Sequence, residues 1–161
     1  MGVVKQLERV ETSNDTPKKV CKIVNCGELK EGEDDGIVVK KSEDGDSYPD
    51  FVEDSGLTTA DELIKAALEI KKIGNDYFVK KDFKSAKVKY DKAIRYLDSS
   101  EFVGDDEKKL DEQTLVVYGN ISATLLHLGK NAEVIEVTTK ILNSDPKNVK
   151  ALMRRGQAYS K

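Results

Sequence analysis

Between Gly74 and Ala93 the chain alternates small and aromatic residues at helical spacings: Gly74, Tyr77, Ala86, Tyr90, Ala93. Small side chains at these positions let two helices approach closely, and the aromatics fill the gaps between them. A single pair of short helices buries too little apolar surface to stand alone, so the pattern predicts a stack of such pairs. The flanking sequence agrees. Thr59 and Glu62 have the spacing of a capping box and open a helix running to about Lys80. A second helix is expected from Phe83 to Leu97. Further helices follow near Lys108–Leu128 and Ala132–Leu142, Asp145-Pro146 marks a stop, and a last helix begins near Val149.

The spacing of these pairs fits the period of about 34 residues that marks the tetratricopeptide repeat, TPR. With Ala67 as the first repeat position, Gly74 falls at the eighth, and the other four residues fall where the pattern wants aromatic, small, aromatic, small. The second repeat departs further from the pattern. Gly129 and Pro146 are in place, but Ser122 stands where glycine is usual, and Val134 and Ile141 stand where alanine is usual. The third repeat supplies Gly156 and Tyr159 in phase and stops inside its first helix. The expected fold is therefore mainly α, a helix-turn-helix solenoid over 59–161. Its repeats lie at about 67–100 and 115–148, with the first helix of a third at 149–161.

What precedes the helices has a different character. Val3, Leu7 and Val10 suggest one short amphipathic helix, and the β-branched stretch from Val20 to Cys26 suggests a strand closing at Gly27. Residues 1–29 are too few to bury a core and read as the end of something larger. Residues 30–58 read as an acidic linker, in which Tyr48-Pro49-Asp50-Phe51 is expected to pack locally. Glu28 to Asp54 holds eleven acidic and three basic residues, a local net of −8, whereas Asp61 to Lys161 holds nineteen basic and sixteen acidic, a net of +3. An acidic linker on a mildly basic body argues against nucleic acid as a partner.

Cys21, Cys26 and the single His127 make neither a disulfide framework nor a metal site, and no cofactor motif is present. The cysteines suit a reducing compartment. The longest uncharged stretch, Gln113 to Leu128, is too short and too polar to cross a bilayer. A soluble, cytoplasmic protein is expected. Tyr118, Ile121 and Leu125 fall at core spacing, and His127, lacking an acid, nucleophile or metal partner, is read as packing.

Five polar residues carry the functional information. Lys71 and Asn75 are four apart, as are Lys150 and Arg154, so each pair shares a helix face, and Asn120 lies between them on another helix. Stacked repeats would bring all five into one groove offering only cations and amide donors, which suits a ligand ending in carboxylates.

Here a family resemblance enters. Lys71-Lys72-Ile73-Gly74-Asn75 resembles the start of a clamp-type TPR domain, and Lys150-Ala151-Leu152-Met153-Arg154-Arg155 resembles the opening of its third repeat. Val3-Val4-Lys5 and Asn25-Cys26-Gly27-Glu28-Leu29 resemble the last helix and strand of a cyclophilin β-barrel. With Tyr48-Pro49-Asp50-Phe51, this order is similar to the large TPR-bearing cyclophilins of the cyclophilin-40 type, which are peptidyl-prolyl cis-trans isomerases.

The resemblance implies that Lys71, Asn75, Asn120, Lys150 and Arg154 grip the terminal carboxylate and last Asp side chain of a chaperone tail ending Glu-Glu-Val-Asp. The implied partner is heat-shock protein 90, with heat-shock protein 70 as a second candidate. Arg155, one step off that face, is expected to be structural or at the rim. The family's isomerase motifs lie upstream of the part resembled, so no catalytic residue carries over. The chain is expected to be an inactive C-terminal piece of such a protein. The rival readings are an isomerase whose catalytic part lies upstream and a generic TPR scaffold for internal peptides.

Overall fold

The computed structural model describes residues 10–13, 16–22, 44–98 and 102–160. Its body is five helices: α1 (Ala60–Val79), α2 (Phe83–Leu97), α3 (Asp105–His127), α4 (Asn131–Ser144) and α5 (Val149–Tyr159). Several boundaries have a local cause. The Thr59 hydroxyl accepts from the Glu62 amide while the Glu62 carboxylate accepts from the Thr59 amide, so the capping box opens α1 as expected. Asp82 caps α2 through the Ser85 amide, and Asn148 caps α5 through the Ala151 amide. Gly129, at φ +70°, makes the tight turn from α3 to α4. Pro146 lies in the turn between α4 and α5, where no helix could have continued through it.

Consecutive helices pack as helix-turn-helix pairs, α1 on α2 and α3 on α4, with α3 also lying on α1 and α2, and α5 lying on α3 and α4. This is the TPR-like solenoid expected from the repeat. The small-large alternation explains the closeness of the first pair. Gly74, Ala86 and Ala93 are buried, and Tyr90 (2% exposed) and Tyr96 (0%) fill the space between them. A Cβ on Gly74 would lie 2.7 Å from Cε1 of the Tyr90 ring, so the ring occupies the space that a side chain would need. Ile70, Val117, Ile121, Leu125 and Val134 continue this core into the second pair. Each such side chain contributes about 1.5–3 kcal/mol when fully buried. Tyr118 is partly buried and packs against both this core and a smaller cluster of Ile141, Leu142 and Ala151.

Upstream of the helices the structure differs from the sequence reading in two places. Thr12–Ser13 and Thr16–Pro17 pair as two-residue antiparallel strands, a pairing the sequence reading did not include. The helix through Val3 and Leu7 and most of the Val20–Cys26 strand lie outside the described residues. Val20 itself is exposed and in no regular element.

The second difference concerns the end of the acidic stretch: Tyr48-Pro49-Asp50-Phe51 packs as expected, but Asp46 upstream of it is buried too. Asp46 (3% exposed) and Phe51 (7%) are buried against the outer side of α1 and α2. Asp46 pairs with Lys89 at 2.8 Å and Lys92 at 2.7 Å, and Lys92 also donates to the Tyr48 carbonyl. The Tyr96 hydroxyl donates to the Pro49 carbonyl, and Arg95 donates to the Asp50 carbonyl while lying over the Phe51 ring. Residues 44–54 thus form a strap, closed by a short 3-10 turn at Val52–Asp54. Its partners, from Glu69 on Tyr48 and Tyr77 on Asp44 to Tyr96 on Tyr48, are 21 to 48 residues away in sequence, a separation that no local pattern reveals. Among the described residues no helix is long and apolar enough to cross a membrane.

Candidate functional site

Three helices carry one stripe each, and part of each stripe lines a common groove, whose lining does not include Lys71, Asn75 or Asn120. From α1 the stripe is Lys71, Asn75 and Phe78, spaced by four and three residues so that they share one face. From α3 it is Asn120, Ala123 and His127, and from α5 it is Lys150, Arg154 and Gln157. Phe78, Ala123, His127, Lys150, Arg154 and Gln157 line an open cavity of about 680 Å³, with Leu126 and Met153 adding apolar surface. No carboxylate belongs to its lining.

Two hydrogen-bonded links tie the expected site residues together. The Asn120 side-chain amide donates to Asn75 Oδ1 at 3.1 Å, joining α3 to α1. The Tyr90 hydroxyl donates to the same Oδ1 at 2.7 Å, joining α2 as well. Burial pushes the Tyr90 hydroxyl up to about 12, so it keeps its proton and stays a donor. With Oδ1 accepting twice, the Asn75 NH2 is left as the donating end and has no partner among the described residues.

Arg154 is anchored differently. Its Nη1 donates to the Gly119 carbonyl at 2.9 Å and to Ser122 Oγ at 3.2 Å, docking α5 onto α3. Both acceptors are neutral. Burial lowers the Arg154 pKa from its ordinary value, and burial alone lowers that of Lys71. Neither residue has a carboxylate partner among the described residues. This contrasts with Lys89 and Lys92, whose charges are met by Asp44 and Asp46. Half-buried cations without a counter-ion are costly, and a ligand carboxylate would relieve that cost. Lys150 is exposed on the groove's edge, one turn before Arg154. Arg155 is half-buried and absent from the lining.

The structure therefore links Asn75 to Asn120, places Arg154 beside Asn120 through Gly119, and puts Lys150 and Arg154 in one groove. Lys71 stands one turn before Asn75. Sequence reading missed the supporting residues. Tyr90 was legible only as packing, and Ser122 only as a departure from glycine. Yet Ser122 is fully buried and donates to the Gly119 carbonyl at 2.8 Å while it accepts from Arg154. A small hydroxyl residue at a glycine position was the available signal.

Comparison with known proteins gives the chain relatives. It is 36% identical over 111 residues to peptidyl-prolyl cis-trans isomerase D of Mycosarcoma maydis, covering 65% of this chain and 28% of that protein. It is 35% identical over 98 residues to the Arabidopsis thaliana peptidyl-prolyl cis-trans isomerase PASTICCINO1, covering 60% of this chain and 15% of that protein. No family model matches the chain. The similarity thus takes in well over half of this chain and under a third of either relative.

Proposed function

We propose that this chain, related over most of its length to peptidyl-prolyl cis-trans isomerases and built as a TPR-like solenoid, is an adaptor that captures the acidic C-terminal tail of a chaperone. The tail is the Glu-Glu-Val-Asp terminus of heat-shock protein 90, with that of heat-shock protein 70 as a second ligand. The observation that supports this most directly is the pair of half-buried, carboxylate-free cations, Lys71 and Arg154, flanking the Asn75–Asn120 bond.

The chemistry follows from the donors. A C-terminal Asp carries two carboxylates. Arg154 has guanidinium N–H groups beyond the Nη1 bonds, and Lys71 and Lys150 are ammonium donors, so each can form charge-assisted hydrogen bonds. The Asn75 NH2 adds a neutral donor whose orientation is fixed by the two bonds to Oδ1. The planar guanidinium can take a carboxylate with two parallel bonds, which lysine cannot do.

Fluorescence anisotropy with a labelled Glu-Glu-Val-Asp peptide tests the reading. The free acid should bind, and binding should weaken as salt rises. Arg154→Ala should weaken it about tenfold or more, the size of a lost charge-assisted bond. Equal binding of the free-acid and amidated peptides would sink the proposal and favour a scaffold for internal peptides. The names of the relatives support a second reading, isomerase activity in the whole protein. An isomerase assay on this chain should show no turnover, because none of its residues matches the isomerase motifs of the resembled family.

A further inference from the structure

The groove's edge carries the chain's one histidine. His127 closes the α3 stripe, and its ring is held from two sides. It stacks on Phe83 of α2 with centroids 4.4 Å apart and planes 2° from parallel, and it meets Phe78 of α1 edge-on at 5.5 Å. The residue is nevertheless exposed and shares the cavity lining with Lys150 and Arg154. Neither ring nitrogen has a hydrogen-bond partner among the described residues.

From α5 come Lys150 and Arg154, both cations. From α1 and α2 come the two Phe rings, Phe83 being flanked in sequence by Lys84 and by Asp82, whose carboxylate accepts from the Ser85 amide. Past the turn, Lys130 is paired with Glu133 at 2.6 Å. No carboxylate lines the cavity to meet a charged imidazole.

We infer that His127 is a sixth binding residue of this groove, taking one of the remaining carboxylates of an acidic peptide, and that it makes capture of such a peptide tighter as the pH falls. The inference rests on the reading of the groove as a carboxylate site. Histidine is the side chain whose ordinary charge change falls between about pH 5 and 8. Peptide carboxylates titrate at about pH 4 and stay ionised throughout that window. Protonation of His127 therefore adds a cation to a lining that holds no carboxylate. The Phe83 face beneath the ring favours the imidazolium and holds it in place.

The probe is N-acetylated Glu-Glu-Val-Asp, which has no amino group to titrate, bound to the full chain between pH 8 and pH 6. The affinity should rise about threefold over that range, the scale of one exposed charge pair. His127→Gln, which keeps a polar side chain and removes the titration, should bind with no such rise. In the unaltered protein, the midpoint of the His127 proton resonance should move up when the peptide is present. That measurement stands even where the variant folds poorly. Free-acid binding that is the same at pH 8 and pH 6, with an unmoved midpoint, would overturn this inference and leave the clamp standing. Failure of the free acid to bind at any pH would overturn both.

Discussion

At the scale of single residues, the eighth repeat position shows how one place in a pattern takes three different roles. It is Gly74, Ser122 and Gly156 in successive repeats. Gly74 faces the Tyr90 ring, and a methyl group there would collide with buried atoms at 2.7 and 2.8 Å. Gly156 has nothing within 4 Å of the same point. The two glycines should therefore respond to alanine with opposite signs. Gly74→Ala should lower stability by about 1–2 kcal/mol, because overpacking exceeds the gain in helix propensity. Gly156→Ala should raise it by about 0.5–1 kcal/mol, since only the propensity term remains. Urea unfolding of the two variants decides the matter. The letter at both positions is the same, so the sequence shows the repeat phase but not the sign. The sign depends on whether an aromatic ring from a second helix is in place. Ser122 makes the same point for the site: its burial under Arg154 was invisible in a pattern that records only side-chain size.

At the scale of elements, the helices were legible and the strap was not. The capping residues, the turn glycine and Pro146 act within a few residues of themselves, so α1 to α5 lie close to where their local signals put them. The strap is held by partners on α1 and α2 that contribute nothing local to its own sequence. Only the apolar and aromatic pair Tyr48 and Phe51, standing out in an acidic run, hinted at docking. Its weak point is Asp46. Asp46→Ala would leave Lys92 buried with the Tyr48 carbonyl as its main partner. It should cost about 3 kcal/mol, the low end for breaking a buried pair. Limited proteolysis should then cut within 44–54.

Acid acts on the same joint. Burial raises the Asp46 pKa, but the bonds from Lys89 and Lys92 outweigh it and hold the carboxyl below its ordinary value. A lowered folded-state value means stability that is present above the ordinary carboxylate range and lost as the pH falls through the folded value. The strap should stay docked at pH 5 and release below about pH 4. Near-ultraviolet circular dichroism of Tyr48 and Tyr96, whose rings meet edge-on at 5.9 Å, would report it.

At the scale of the whole molecule, stability should run downhill along the array. The first pair is covered by the strap on one side and by α3 on the other. By contrast, α5 rests chiefly on α3 and α4 and leaves Val149, Met153 and Tyr159 more than half exposed. A helix with few buried side chains opens more readily. Hydrogen exchange should be slowest in α1 and α2 and fastest in α5, and an acidic peptide should slow α5 most, because Arg154 and Lys150 stand there. Protection spread evenly over all five helices would count against this gradient. Lys150 and Arg154 were legible at this scale because helical spacing puts them on one face, and both line the groove. The bonds across helices that orient Arg154, Asn75 and Asn120 were not.

Those bonds make Asn75 a hinge between architecture and recognition. Its oxygen serves the fold, accepting from Tyr90 and Asn120, and its NH2 group serves the ligand. Exchanging that one nitrogen for oxygen, Asn75→Asp, keeps both accepted bonds and sets a negative charge where an anionic tail must approach. The result should be a protein that melts like the original and is blind to its ligand, a separation-of-function allele written in a single atom.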